Sequence, residues 1–143
     1  MLFFLITALL SGPIAWHNDL KEAEQLAKKE HRHILLNFSG SDWCGPCIRM
    51  HREIFENAAF GQMADTDLVM VNADFPRMKK NQLPKKQQDL NNSMADQYDS
   101  QGQFPLTLLL TEDGKVLKTW DGLPAMTAEE FALQVHNIIL SDK

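Results

Sequence analysis

The chain predicts an α/β fold, a central mixed sheet flanked by helices, on three observations. Stretches of helical period alternate with short apolar runs that stop at Gly, Ser or Asp. The last two runs are separated by the hairpin turn Glu112-Asp113-Gly114-Lys115, which pairs them antiparallel. At 143 residues, with 44% hydrophobic and 23% charged residues, the chain has the length and composition of one folded domain.

Each element has its own signal. From Asp19 to Arg32, Leu20, Ala23, Leu26 and Ala27 fall on one helical face, with Lys, Glu and Gln opposite. His33 to Phe38 is a short apolar run halted by Ser39-Gly40-Ser41, a buried strand and then a loop. Helical spacing resumes from Cys44 to about Ala59, with Ile48, Met50 and Ile54 or Phe55 available for packing. Asp67 to Phe75 is apolar and rich in β-branched residues, a second central strand. Arg77 to Lys86 is polar and basic, and Pro84 is placed to open a helix near Lys85 that ends at about Tyr98. Phe104 to Thr111 is a third strand, and Val116 to Trp120 returns after the turn as its partner. Thr127 opens the last helix with a capping box to Glu130, and Phe131, Val135, Ile138 and Ile139 form its buried face.

Leu2 to Leu10 is apolar apart from Thr7, and small or helix-breaking residues follow to Ala15. A run of about half the 20 residues that a spanning helix needs reads as a signal peptide or a short N-terminal anchor over residues 1–15. The domain proper is then 16–143. The alternative is a buried N-terminal element of a cytosolic domain. A net charge of -5 argues against nucleic acid as a partner, since phosphate neutralisation needs a basic face.

The chemistry lies in Trp43-Cys44-Gly45-Pro46-Cys47, between a strand and a helix. Thiol–disulfide exchange needs one thiolate that attacks and a second thiol near enough to resolve the mixed disulfide. Two intervening residues at a helix start bring both sulfurs within reach, with Cys44 exposed at the first turn and Cys47 more sheltered. Unpaired N–H groups and the partial positive charge at the helix start favour the Cys44 thiolate. Pro46, with a helix-compatible φ and no N–H, suits that first turn. Two other readings stand beside this one: a structural disulfide, or half a zinc site. Zinc needs about four ligands, and only His31, His33 and His51 could add nitrogen to the single Cys pair.

The five-residue motif after an apolar strand resembles the active-site signature of the thioredoxin superfamily. The chain is similar to small exported thioredoxin-like proteins of bacteria from about Trp16 to its C-terminus. The resemblance implies a thioredoxin-like fold, with Cys44 and Cys47 as the catalytic pair and Trp43, Gly45, Pro46 and Asp42 in support. It implies that Pro105 is a cis-proline facing the dithiol and that the Phe104 backbone pairs with an extended substrate segment. Asp121-Gly122 resembles the loop that completes the substrate groove. The chain also departs from the pattern. Asn37 stands where thioredoxins carry a buried carboxylate used as a proton relay, which leaves proton transfer to water, Asp42 or another group. The loop Ser39-Gly40-Ser41-Asp42 is one residue longer, and Arg52 replaces a helix-kinking proline, which implies a straighter helix. Arg77 to Lys86, with five basic residues in ten, looks like an insertion: a solvated loop, or a docking surface for a partner.

The function these residues imply is an exported thiol–disulfide oxidoreductase acting on protein disulfides or thiols. The Gly45-Pro46 dipeptide resembles reducing members, at roughly -270 mV against about -120 mV for a strong oxidant. The alternatives are a disulfide oxidase or isomerase, or a non-enzymatic module holding a metal. The expected partners are protein substrates and an unidentified electron donor, with membrane proximity through the N-terminus; no cofactor, no metal and no nucleic acid is called for. Ser141-Asp142-Lys143 is not an endoplasmic reticulum retention signal, which favours a bacterial periplasm or cell envelope.

Overall fold

Two strands buried on both faces organise the molecule in the computed structural model, which describes residues 12–143. The segment read as a signal peptide or anchor therefore lies almost wholly outside the described residues. Strands β2 (His33–Ser39) and β3 (Leu68–Asp74) run parallel at the centre of a five-stranded sheet of order β1-β3-β2-β4-β5. Strand β1 (Trp16–His17) adds in parallel to β3, while β4 (Leu106–Leu110) and β5 (Val116–Asp121) complete the other side antiparallel. Burial on both faces explains why β2, β3 and β4 read as continuous apolar runs rather than as alternation.

The two faces have separate cores. Leu35, Leu68, Met70 and Leu109 point toward helices α2 (Gly45–Met50), α3 (Ala58–Asp67) and α5 (Ala128–Ser141). Ile34, Leu36, Phe38, Val69, Val71 and Leu108 point to the opposite face, where Leu20, Ala23 and Ala27 of α1 (Leu20–Glu30) and Met94 of α4 (Lys85–Tyr98) meet them. Local chemistry sets the helix ends. The Asp19 carboxylate accepts from the Lys21 N–H at 2.9 Å, and His31 closes α1 in the left-handed region. Thr127 and Glu130 form the predicted capping box of α5, and Pro84 precedes α4 as expected. Gly114, at φ 83°, makes the turn between β4 and β5.

Three features correct the sequence reading. Strand β1, two residues long, is too short to give a period. The single helix expected from Cys44 to about Ala59 is interrupted: α2 passes into a π-helical turn at His51–Phe55, and Asn57 then caps a separate helix, α3, over residues read as connection. Losing the proline at Arg52 therefore does not give a straight helix. The apolar spacing explains the wider turn, because Met50 and Phe55, five residues apart, are both buried on the same side together with Ile54. Phe55 continues an aromatic stack through Phe60 (centroids 5.3 Å apart) and Phe131 (5.9 Å) to Trp120 (4.9 Å). Each ring buried there contributes about 1.5–3 kcal/mol, enough to outweigh one irregular turn. Trp120 is thus a packing residue, its indole N–H donated to Gln134 at 2.8 Å.

Candidate active site

The loop after β2 is folded around Gly40. Its carbonyl accepts from the N–H of Cys44 at 2.9 Å and of Trp43 at 3.3 Å, and its own N–H donates to Cys47 Sγ at 3.5 Å. A side chain could not fit there: a Cβ on Gly40 would lie 2.3 Å from the Trp43 ring. Ser41 bonds Asp74 at the end of β3 through both its N–H (2.9 Å) and its hydroxyl (2.6 Å). Asp42 reaches across to the basic segment, accepting from the N–H of Arg77 and of Met78 at 2.9 Å each and from Asn81 Nδ2 at 3.0 Å. These donors, the Arg77 N–H foremost, hold the Asp42 carboxyl below the ordinary Asp range. These bonds make Asp42 a clasp between the loop and the basic segment.

Cys44 is the N-cap of α2, and Gly45, Pro46 and Cys47 form its first turn. Cys44 and Cys47 are joined as a disulfide with their Cα atoms 5.2 Å apart, and the Cys47 N–H donates to Cys44 Sγ at 3.3 Å. Both cysteines are buried, Cys44 at 5% exposure and Cys47 at 3%, whereas the sequence reading has Cys44 exposed. The reason is the N-cap position, which turns Sγ inward toward the first-turn N–H and the second sulfur. Gly45 and Pro46 form the exposed lip of the turn. Ile48, assigned to packing by its spacing, is instead 43% exposed one turn after Cys44.

Trp43 ties this loop to the neighbouring ones. Its indole N–H donates to the Phe75 carbonyl at 2.7 Å, its ring meets Phe104 edge-on at 5.4 Å, and the Arg77 guanidinium lies 3.5 Å from its centroid. Phe104 also packs on Phe75, at 5.4 Å, and so the residues before Pro105 border the motif. The Phe104–Pro105 bond is cis, and Pro105 is buried. Among the described residues no hydrogen bond engages the Phe104 N–H or carbonyl. Gly122, at φ 80°, donates its N–H to the Pro105 carbonyl at 2.9 Å; that donor is spent on holding Pro105 rather than offered to a ligand.

Beneath α2, Asn37 is buried at 5% exposure and donates through Nδ2 to Thr107 Oγ1 at 2.9 Å, and that hydroxyl contacts Met50 Sδ at 3.7 Å. The three histidines considered as metal ligands are apart from the sulfurs in their contacts. His33 bonds Asp142 at 2.8 Å, His51 faces Glu56 at 3.5 Å, and His31 ends α1; no cluster of three or more His, Cys, Asp or Glu forms among the described residues. Sequence reasoning missed Gly40, Asp74, Phe75 and Thr107. A Gly three positions before a Trp was the only signal available for the first. The others act through strand pairing, which has no local signature.

Comparison with known proteins agrees with this geometry. A sequence model of the Thioredoxin-like family matches residues 15–111. The disulfide bond reductase DsbH of Chlamydia pneumoniae is 38% identical over 96 residues, covering 67% of this chain and 56% of that protein. The thioredoxin-related protein DsbJ of the same organism is 34% identical over 80 residues, covering 56% of this chain and 23% of its own length. The chain thus spans about half the length of one curated relative and about a quarter of the other. Among solved structures, a DsbH oxidoreductase superposes with a TM-score of 0.80 at 31% identity, covering 90% of this chain and 86% of that one. A thioredoxin from Thermus thermophilus, with a TM-score of 0.66 at 15% identity over 91% and 90% of the two chains, shares the fold. With the family match spanning the sheet from β1 to β4 and both cysteines, the chain belongs to the thioredoxin-like family.

Proposed function

We propose that the protein is a thiol–disulfide oxidoreductase that reduces protein disulfides through Cys44 and Cys47. The observation that carries this reading is the cysteine pair itself: a disulfide at the start of a helix, with Cys44 as N-cap and a first-turn N–H on its sulfur. In the reduced protein that N–H and the helix start stabilise the Cys44 thiolate. The thiolate attacks one sulfur of a substrate disulfide, whose partner sulfur leaves as a thiolate. Cys47 then loses its proton and attacks Cys44 Sγ, which releases the second substrate thiol and forms the Cys44–Cys47 disulfide. Two electrons pass to the substrate, and a separate dithiol donor must return them. The Gly40 N–H on Cys47 Sγ and the absence of a carboxylate at Asn37 support a resolving step that gives its proton to water.

The reducing direction is supported by the Gly45-Pro46 dipeptide and by the relative whose name is disulfide bond reductase. Phe104, with its backbone groups unengaged beside Trp43, is the residue to which an extended substrate segment pairs, and Pro105 and Gly122 hold that edge in place. The run Leu2 to Leu10 supports export to a bacterial cell envelope; no helix among the described residues is long and apolar enough to cross a membrane.

The test is partner trapping. Cys47→Ser accumulates mixed disulfides through Cys44, whereas Cys44→Ser accumulates none. Trapping by Cys44→Ser alone reverses the assignment of the nucleophile. Equilibration with defined thiol–disulfide buffers then fixes direction: a potential near -270 mV fits a reductase, and one near -120 mV makes the protein a disulfide donor.

A further inference from the structure

The segment from Arg77 to Lys86 holds five basic residues and no acidic one, which leaves nine cations against nineteen carboxylates in the rest of the chain. This reversal of local charge stands beside the dithiol and is fixed there. Asp42 bonds the backbone of Arg77 and Met78 and the side chain of Asn81, and the Arg77 guanidinium stacks on Trp43, the residue before Cys44. Lys79 and Lys80 begin a short 3-10 turn (Lys79–Asn81) and are exposed. Among the described residues, Arg77, Lys79, Lys80 and Lys86 have no carboxylate within ion-pair distance; in this segment only Lys85 does, to Asp89. Lys85 and Lys86 also occupy the first turn of α4, which holds no acidic residue and where the helix dipole disfavours cations; Asp89 offsets Lys85 and leaves Lys86 unpaired. Lys79, Lys80 and Lys86, left without a carboxylate, gain the fold no ion pair. Trp43 lies between the Arg77 guanidinium and Cys44, and Met78 in the segment and Ile48 after the cysteines are apolar side chains left 48% and 43% exposed.

We infer that the Arg77–Lys86 segment is a docking lip that selects protein substrates whose disulfide is flanked by Asp and Glu. The inference rests on the thiol–disulfide exchange proposed above and names its substrate class. The lip's cations meet the acidic flank while Trp43 and the exposed Gly45-Pro46 turn face the disulfide, with charge at the rim as is usual for protein recognition. Rim charges act mainly on association rate and are screened by salt. Exposed pairs are individually weak, and two or three together change kcat/KM by about tenfold.

The experiment uses the full protein, reduced beforehand with dithiothreitol and freed of it, in single turnover with three disulfide-bridged peptides. The peptides are equal in length and have acidic, neutral or basic flanks; the readout is the release of peptide thiols. The acidic peptide reacts about tenfold faster than the basic one at about 20 mM salt, and the ratio falls toward one at about 0.5 M as screening shortens the range. In the double variant Lys79→Glu/Lys80→Glu the order of the acidic and basic peptides reverses. Equal rates for all three peptides, or an acidic preference that survives the double variant or high salt, overturn the docking lip and leave the exchange chemistry standing. Failure to reduce any peptide removes the exchange reading and the inference with it. Equal peptide rates together with binding to phosphatidylglycerol vesicles that the double variant abolishes assign the lip to a membrane surface and overturn the inference.

Discussion

Replacing Gly40 by Ala tests whether the Trp43 loop is held by close packing. The new Cβ would lie 2.3, 2.5 and 2.6 Å from three atoms of the indole, where ordinary contact begins at about 3.4 Å. The ring must therefore retreat by about 1 Å. That movement breaks its 2.7 Å bond to Phe75 and lifts it from the Arg77 guanidinium. Overpacking of this kind costs about 1–3 kcal/mol, the lost hydrogen bond about 1 and the cation–π contact about 0.5–1. We expect a loss of about 3 kcal/mol, which lowers Tm by about 10 °C in a domain of this size. Urea unfolding of the oxidised protein followed by circular dichroism gives the number, and a double-mutant cycle assigns it. In a Trp43→Ala background the Gly40→Ala change should cost less than about 1 kcal/mol, because the obstructing ring is gone. An equal cost in both backgrounds, or no cost in the wild type, refutes the reasoning.

Other predictions follow from the same contacts. Asp42→Ala frees the basic segment: amide exchange at Arg77 and Met78 quickens, while exchange in β2 and β3 stays slow. Because the folded Asp42 carboxyl sits below the ordinary Asp range, its stabilisation is complete above that range. The clasp is then lost as pH falls through the lowered value, and exchange in the wild type should follow the same course. Asp99, 4% exposed with Oδ2 unpartnered, has its carboxyl raised chiefly by burial, against the Gln103 N–H that lowers it. Asp99→Asn should therefore raise Tm at pH 7, with the gain shrinking as pH falls through that raised value; a gain independent of pH would show that charge is not the cause. Asn37→Asp places a carboxyl against Thr107 in a buried site and should cost about 1–3 kcal/mol at pH 7. Burial raises the new group above its unfolded value, and so the cost in urea unfolding should grow as pH rises above about 4.

The elements whose signals are local were legible in the sequence. Strands β2, β3 and β4 are apolar runs bounded by turn residues, and the Thr127–Glu130 box marks its helix within one residue. The cysteine pair and Pro105 were placed by spacing and resemblance, and the structure sets the residues around them in one region. What escaped depends on contacts distant in sequence. The π-helical turn exists because Met50 and Phe55 share one core, which no helical period anticipates. Ile48 has the spacing of a packing residue but faces outward because Cys44, one turn earlier, takes the N-cap position. Asp42 read as a titrating group beside the cysteines, and only the fold shows that its partners are Arg77, Met78 and Asn81, at least 35 positions away.

Ser41, Asp42 and Trp43 each send a side chain across to the stretch from Asp74 to Asn81, and Asp42 and Trp43 meet at Arg77, one on its backbone N–H and the other under its guanidinium. The approach to the dithiol and the exit from β3 are therefore one interchangeable part in two pieces. Grafting residues 39–47 alone into another family member would strand three polar side chains, and grafting 74–82 alone would leave the new loop unmoored. Sequence drift in either piece is tolerable only when the other drifts with it. A chimera carrying both should keep the local geometry in a foreign sheet.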